Sequence, residues 1–351
     1  MRVGGPRVGR LPCVTYPDPV VVGLDNGGTA NNATVMTIDG KYLVDHLVET
    51  PSRVTDGPQV AIDALVESLD TVLAVAGVDR SAVRAIGLDT PGPASAEGVI
   101  ASKGSTNFRH PGWRGFDVRM ALEERVGIPV VYNNDANAAA LYAHVRHFGV
   151  ASPVRSSVSA IVGTGLGGGL VEHGRLVKGA AGMAGELGHV LLPVDGLLAE
   201  DQPVPRCNCG QSGDVESFAS LTGIQNNLLP YWLSRFPDHE LHGVELATAA
   251  RKVRGLGERG DPLAVAIFSQ QAMALGRLFH IASNFTDPDA YFVGGGVVEA
   301  SAEFREWYLQ TVATHTALRD EQRAVARFAV VPDLDMAGAR GSAIAALAAL
   351  A

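Results

Sequence analysis

Asp135 lies in the stretch PVVYNNDANAAALYAH, where a short buried strand gives way to an Ala-rich run of strong helix propensity. A carboxylate between the carboxyl end of a strand and the start of a helix sits on the edge where open α/β sheets hold ligands. An aspartate in that place can also do no more than cap the helix. Two glycine turns bear on the choice. Asp25-Asn26-Gly27-Gly28-Thr29 follows the strand-like run VVVGL, and Gly163-Thr164-Gly165-Leu166-Gly167-Gly168-Gly169 follows Ser157 to Val162. Each delivers backbone with too little side chain to obstruct a phosphate, and Thr29 or Thr164 adds a hydroxyl donor. Neither is a Walker P-loop, which ends in Gly-Lys-Ser/Thr, and neither opens a helix in the Rossmann manner. Either turn alone reads as a plain hairpin; together, in the same strand context, they favour a nucleotide clasped between two related halves. Gly294-Gly295-Gly296, at the end of another strand, joins them as a third candidate. Asp25 suits a Mg²⁺ held mostly through water, because Mg²⁺ uses few carboxylates and keeps its waters.

The helix start favours negative charge, so Asp135 is expected to be ionised and therefore a weak base. Phosphoryl transfer tolerates a weak base, since its catalysis is mostly positioning and electrostatics. Asn107, Asn134, Glu186, His189 and Glu216 offer the mixed donors and acceptors that a polyol needs, although each taken singly also reads as a surface or capping residue. His189 and the C-x-C pair Cys207 and Cys209 supply three ligands of the right softness for Zn²⁺. Asp214 is a fourth candidate, and it begins an apparent helix for which it is also a good N-cap. Cys13 lies far off in a loose segment and reads as a free thiol.

The elements that must position these groups follow from periodicity. Val20 to Leu24, Val83 to Leu88, Pro129 to Tyr132, Ser157 to Val162, Tyr291 to Val293 and Phe328 to Val331 read as strands. Ala33 to Ile38 and Tyr42 to Val48 read as a hairpin around Asp39-Gly40. A second hairpin turns at His173-Gly174. Helices are expected over Val60 to Ala76, Val118 to Arg125, Asp214 to Leu221, Leu263 to Asn284, Ala302 to His315 and Gly341 to Leu350. The order strand, glycine turn, antiparallel pair occurs twice, which points to two related lobes with a cleft between them.

With 351 residues, 46% hydrophobic and 19% charged, the chain has ample core for two domains or one large one. The 41 glycines exceed the usual share and cluster at strand ends. A net charge of −9 with no basic face argues against nucleic acid as a partner. Three cysteines are too few for a disulfide framework, no run reaches the length of a membrane span, and the first residues lack a signal-peptide core. The expectation is a protein of the reduced cytoplasm with no membrane partner.

LDNGGT, NNDANAAA, GTGLGGG, AGELGH and CNCGQSGDVE, in this order and over nearly the whole chain, resemble the ROK family of repressors, open reading frames and sugar kinases. The resemblance implies an α/β, two-lobed, actin-like ATPase (ribonuclease H-like) fold with a central cleft, in which ATP and Mg²⁺ meet a hexose or amino sugar. It divides the chain into a lead-in at 1–19, an N-terminal lobe at 20–132 joined by the C-terminal helix 338–351, and a C-terminal lobe at 133–337 carrying the zinc loop. By the same matching, Asp135 is the catalytic aspartate; Asn107, Asn134, Glu186, His189 and Glu216 touch the sugar; Asp25, Gly27, Gly28, Thr29, Thr164, Gly165, Gly167 and Gly294 to Gly296 hold the nucleotide. His189, Cys207, Cys209 and Asp214 hold a structural Zn²⁺. The implied reaction is phosphorylation of a hexose, glucose first, with another hexose, an N-acetylhexosamine, or a non-catalytic sugar sensor as alternatives. A homo-oligomer, dimer or tetramer, is expected. Three departures stand out: Asn26 replaces an apolar residue, Ala30 a lysine, and Asp214 the third zinc cysteine. The repressor branch carries a helix-turn-helix ahead of the first glycine turn, where this sequence has about twenty residues and no helical pair.

Overall fold

The computed structural model describes residues 18–92, 94–100 and 108–350. Asn107 and Cys13, both named above, lie outside the described residues. Among the described residues, ten strands form two five-stranded sheets. The first contains β1 (Val20–Asn26), β2 (Ala30–Thr37), β3 (Val48–Pro51), β4 (Val83–Thr90) and β5 (Val130–Asn134), in the order β3-β2-β1-β4-β5. The second contains β6 (Ser157–Val162), β7 (Leu166–Glu172), β8 (Arg175–Leu176), β9 (Ala290–Gly294) and β10 (Arg327–Val330), in the order β10-β9-β6-β7-β8. Read from the opposite edge, the second order is the first again. The senses agree as well: β1 runs antiparallel to β2 and parallel to β4, and β6 runs antiparallel to β7 and parallel to β9.

Local chemistry sets the helices that cover these sheets. α1 (Pro58–Ala76) starts with proline in its first turn, buries Ile62, Leu65, Leu69, Val72 and Leu73 along one stripe, and stops at Gly77 in the left-handed conformation. Each such aliphatic side chain contributes roughly 2 kcal/mol of burial. α2 (Val118–Val126) is capped by Asp117 and ends at Gly127. Both helices pack on one face of the first sheet, where Val22, Leu24, Ile86 and Leu88 meet them. The second sheet is covered by α8 (Pro262–Thr286), the longest helix described, together with the short helices after Asp214, α7 (Leu246–Glu258) and α9 (Ala302–Thr314).

Two helices join the halves. α3 (Asp135–Phe148) follows β5 of the first sheet but lies on β7 of the second; α11 (Leu334–Ala348) follows β10 of the second but lies on β1 and β4 of the first. Glycines make both crossings close. A Cβ on Gly23 would stand 1.8 Å from the Ala339 carbonyl, and one on Gly87 1.8 Å from that of Ser342. Gly167 and Gly169 leave the room that Ala136 and Ala140 of α3 fill. The two helices also touch each other, where a Cβ on Gly341 would lie 1.8 Å from the Ala138 carbonyl. At the far end of this seam Arg340 of α11 donates to Asp333 (2.8 Å) and to the Tyr142 hydroxyl of α3 (2.9 Å), and its guanidinium sits 4.9 Å from the centre of the Tyr42 ring.

That contact explains a departure from the sequence reading. Tyr42 to Val48 is not a strand: Tyr42 makes only an isolated bridge to Met36, its ring turns to Arg340, and the third strand begins at Val48. The closing helix starts at Leu334, seven residues before Gly341, because the glycines at 338 and 341 serve close packing rather than termination. α7 carries Gly255 and Gly257 and was not anticipated; Gly257 sits against Phe268 and Phe304, where a side chain would intrude.

Gly341→Ala is therefore expected to destabilise the protein by about 3 kcal/mol in urea denaturation, because backbone stands where the methyl would go. Gly255→Ala, with only the tip of Arg259 near, should be neutral or stabilising by up to about 1 kcal/mol.

Candidate active site

Asp135 owes its freedom to its neighbour. Asn134 is the N-cap of α3, its side-chain oxygen accepting from the backbone N–H of Ala136 (3.0 Å) and of Asn137 (3.4 Å). Asp135 is thus the first helical residue rather than the cap. One of its oxygens accepts from Ala136 N–H at 2.7 Å, and the other has no hydrogen bond to a described residue. The helix start does not keep it fully ionised. Burial in the cleft, followed by the charges of Asp25 and Glu186, pushes its carboxyl up to about 7 against the backbone N–H that favours the anion. The structure thus brings together Asp25 from β1, Asp135 from α3 and Glu186 from the loop beyond β8.

The first glycine turn closes β1 onto β2, with Gly27 N–H donating to the Ala30 carbonyl at 2.9 Å. Asn26, anomalous in the sequence, is wholly buried and donates to Asn31 at 2.6 Å across the hairpin. Asp25 accepts from the Asn32 amide at 3.2 Å and lies under Gly338 of α11. The second turn is one residue shorter, with Gly163 N–H donating to the Gly165 carbonyl at 2.9 Å. Gly295, with φ at +83°, lies against the Val162 carbonyl, so the third glycine run adjoins the second. Arg254 of α7 fixes it by donating to the Gly296 carbonyl at 2.6 Å.

The sugar-type residues converge on β7. Gly185 and Gly188 pass close to the Gly168 and Leu166 carbonyls, which sets Glu186 and His189 beside the second turn. Glu216 joins three features at once: one oxygen accepts from the Leu166 N–H (2.9 Å), the other from the Cys207 thiol (3.3 Å), and its Oε2 fills the space a Gly165 side chain would need.

His189, Cys207, Cys209 and Asp214 place one ligand atom each within 4.8 Å of one another. His189 Nδ1 and Cys209 Sγ both lie 3.5 Å from Asp214 Oδ2. That spacing matches the edge of a tetrahedron with ligand bonds of about 2.1 Å, so the donor set fits Zn²⁺. Asp214 serves as a cap as well: its Oδ1 accepts from Ser217 N–H at 2.9 Å. The two sequence readings of Asp214 are compatible because they use different oxygens.

Two groups not singled out from the sequence also reach the site. Asp89, at the end of β4, stands beside Asp25 in parallel register and accepts from the Ser342 hydroxyl at 2.7 Å. Its signal was present in the sequence, as a second aspartate at a strand end. Lys178 donates from the loop after β8 to the Tyr132 carbonyl at 2.8 Å, spanning the cleft beside Asp135. Nothing in its sequence context announced that reach.

The ROK family model matches residues 21–349. The chain belongs to the ROK family. A glucokinase from Halalkalibacterium halodurans is 32% identical over 285 residues, covering 80% of this chain and 81% of the relative. Among solved structures, the ROK hexokinase of Thermus thermophilus superposes with a TM-score of 0.73 at 32% identity, covering 94% of this chain and 99% of that one. The ROK glucokinase of Streptomyces griseus, solved with glucose and AMPPNP, gives a TM-score of 0.65 at 27% identity and covers 93% and 99%. The two-sheet architecture of this ROK chain is the actin-like ATPase fold of those neighbours.

Asn134→Ala should cost about 0.5–1 kcal/mol in thermal denaturation, the low side of a lost cap, because Asp135 still accepts from Ala136 N–H. A loss beyond 2 kcal/mol would show Asn134 to carry more than the cap.

Proposed function

We propose that this ROK protein phosphorylates a hexose from ATP, glucose at its 6-hydroxyl first, with Asp135 as the proton acceptor. The observation that carries this reading is the position of Asp135: relieved of capping by Asn134, and sharing one cleft with Asp25 and Glu186. The glucokinase and hexokinase relatives support the class of acceptor, and the AMPPNP in the Streptomyces griseus structure supports the nucleotide. Residues 20–132 with 338–351 form one lobe in this reading and 133–337 the other, and the protein works as a homo-oligomer.

The residues act as follows. Asn107, Asn134, Glu186 and His189 orient the sugar, with His189 using Nε2 because Nδ1 faces Asp214. Glu216, on the helix that Asp214 caps, accepts from the Leu166 N–H and so holds the second glycine turn, keeping one spacing between sugar and phosphate groups. Backbone N–H groups at Gly28, Thr29, Thr164 and Gly165 receive phosphate oxygens, Gly27 and Gly167 leave them room, and Gly294 to Gly296 take the rest of the nucleotide. Asp25 and Asn32 present hard oxygens suited to Mg²⁺, which when bound neutralises phosphate charge. Asp135 then accepts the hydroxyl proton late in transfer. His189, Cys207, Cys209 and Asp214 would hold a Zn²⁺, which would tie the cysteine loop to the Glu186–His189 segment.

Asp135→Asn should lower kcat by about a thousandfold or more while sugar affinity stays within a few-fold, since shape is kept and the acceptor lost. Unchanged turnover in a coupled ADP assay over hexoses and N-acetylhexosamines would remove Asp135 from its role. Because Asp135 works unprotonated and its carboxyl sits at about 7, kcat/KM should fall about tenfold per pH unit below that value and level off above it. A flat profile from pH 5.5 to 8 contradicts the assignment.

Elemental analysis should find near one zinc per chain. Asp214→Asn keeps the cap and loses the ligand, so zinc falls with little loss of helix stability; Asp214→Ala loses both, the cap being worth about 1 kcal/mol. Equal zinc in all three proteins makes Asp214 a cap alone.

A further inference from the structure

Asp25, Asp89 and Asn133 occupy corresponding places on β1, β4 and β5, paired side by side in register. Asp25 and Asp89 lie beneath α11, which covers them with Gly338 and Ser342, one helical turn apart. Asp89 is wholly buried; one oxygen takes the Ser342 hydroxyl, and Oδ1 has no hydrogen-bond donor among the described residues. Its carboxyl lies within hydrogen-bonding reach of that of Asp25, and Asp135 is near enough to add its own charge. Among the described residues, the donors to these three carboxylates are neutral, the Asn32 amide, the Ser342 hydroxyl and the Ala136 N–H, and no Lys or Arg forms an ion pair with them. Burial pushes both carboxyls up, and the charge of Asp25 pushes Asp89 further, so the pair is relieved either by holding a proton or by taking a cation. Asn133, buried with both amide atoms unpartnered, adds a further oxygen next to Asp89.

We propose that Asp89 makes this chain a resident divalent-cation binder: with Asp25 it forms a two-carboxylate oxygen site on the ends of β1 and β4 that takes Mg²⁺ or Mn²⁺ before any nucleotide arrives. Small hard cations prefer carboxylate, amide and water oxygens, and two adjacent carboxylates supply the charge that phosphates otherwise bring. Asp25, only partly buried, is the entry side; Asp89, wholly buried and held by Ser342, is the fixed side. Asp89 is then a cation ligand, with Ser342 positioning it. The proposal rests on the kinase reading only in placing a cation beside Asp25, so its test uses neither sugar nor nucleotide.

The probe is Mn²⁺ alone, titrated into the purified full chain and followed by electron paramagnetic resonance of free Mn²⁺ and by calorimetry. Wild type should bind one Mn²⁺ per chain, Mg²⁺ should compete for it, and the cation should raise Tm. Asp89→Asn, nearly isosteric, should weaken binding about tenfold or more and abolish the Tm shift while raising Tm in chelator, where a buried repulsion is removed. Asp25→Asn attacks the same pair from its more open side and should lose as much, which keeps the test decisive if Asp89→Asn folds poorly. Ser342→Ala retains both carboxylates and should stay within about threefold. Absence of Mn²⁺ binding by wild type at millimolar concentration overturns the proposal. So does equal affinity in wild type, Asp89→Asn and Asp25→Asn. Failure here leaves the kinase reading standing, because nucleotide-borne Mg²⁺ does not need Asp89.

Discussion

Everything else in this molecule depends on backbone meeting backbone where the two connecting helices cross. α3 and α11 each leave one sheet and pack on the other, and they touch where Gly341 meets Ala138. With no side chain between them, the helices have a single depth at which to sit, and that depth sets the distance between the sheets. Asp135 at the head of α3, and Gly338 and Ser342 over Asp25 and Asp89, inherit their positions from it. A cleft made this way is stiff at its base, because close-packed interiors shift between discrete arrangements rather than deform.

Much of this was legible in the sequence, for reasons that differ by element. Strand ends followed by glycine turns were readable because the period-two apolar runs and the glycines give independent signals. Asp135 was readable from its place between a strand and an Ala-rich helix. The clustering of the cysteine loop with His189 was readable from donor type and spacing, and the capping role of Asp214 from a carboxylate just before a helix.

What stayed hidden depends on tertiary contact. Glycines at 255, 257, 338 and 341 read as breakers in one dimension, yet in the fold they are contact surfaces, so α7 was missed and α11 was started late. Tyr42 looked like strand because its neighbours alternate; a guanidinium from residue 340 draws its ring elsewhere. The charge state of Asp135 followed burial rather than the helix start, and burial comes from segments far apart in the chain. Lys178 reaches Tyr132 across the cleft, a contact for which no local pattern exists.

The doubled strand order lets the two halves be compared position by position. Register pairs Asn26 with Asn31 and Val162 with Leu166 at the mouths of the two hairpins, so Asp25 corresponds to Ile161, and Asp89, beside Asp25, corresponds to Gly294, beside Ile161. At these strand ends the same scaffold therefore carries two carboxylates in the first half and none in the second, where acid arrives instead from Glu216 on a helix. The two halves are alike in backbone and unlike in charge at these matching strand ends, so a fold built twice over still tells its two ends apart.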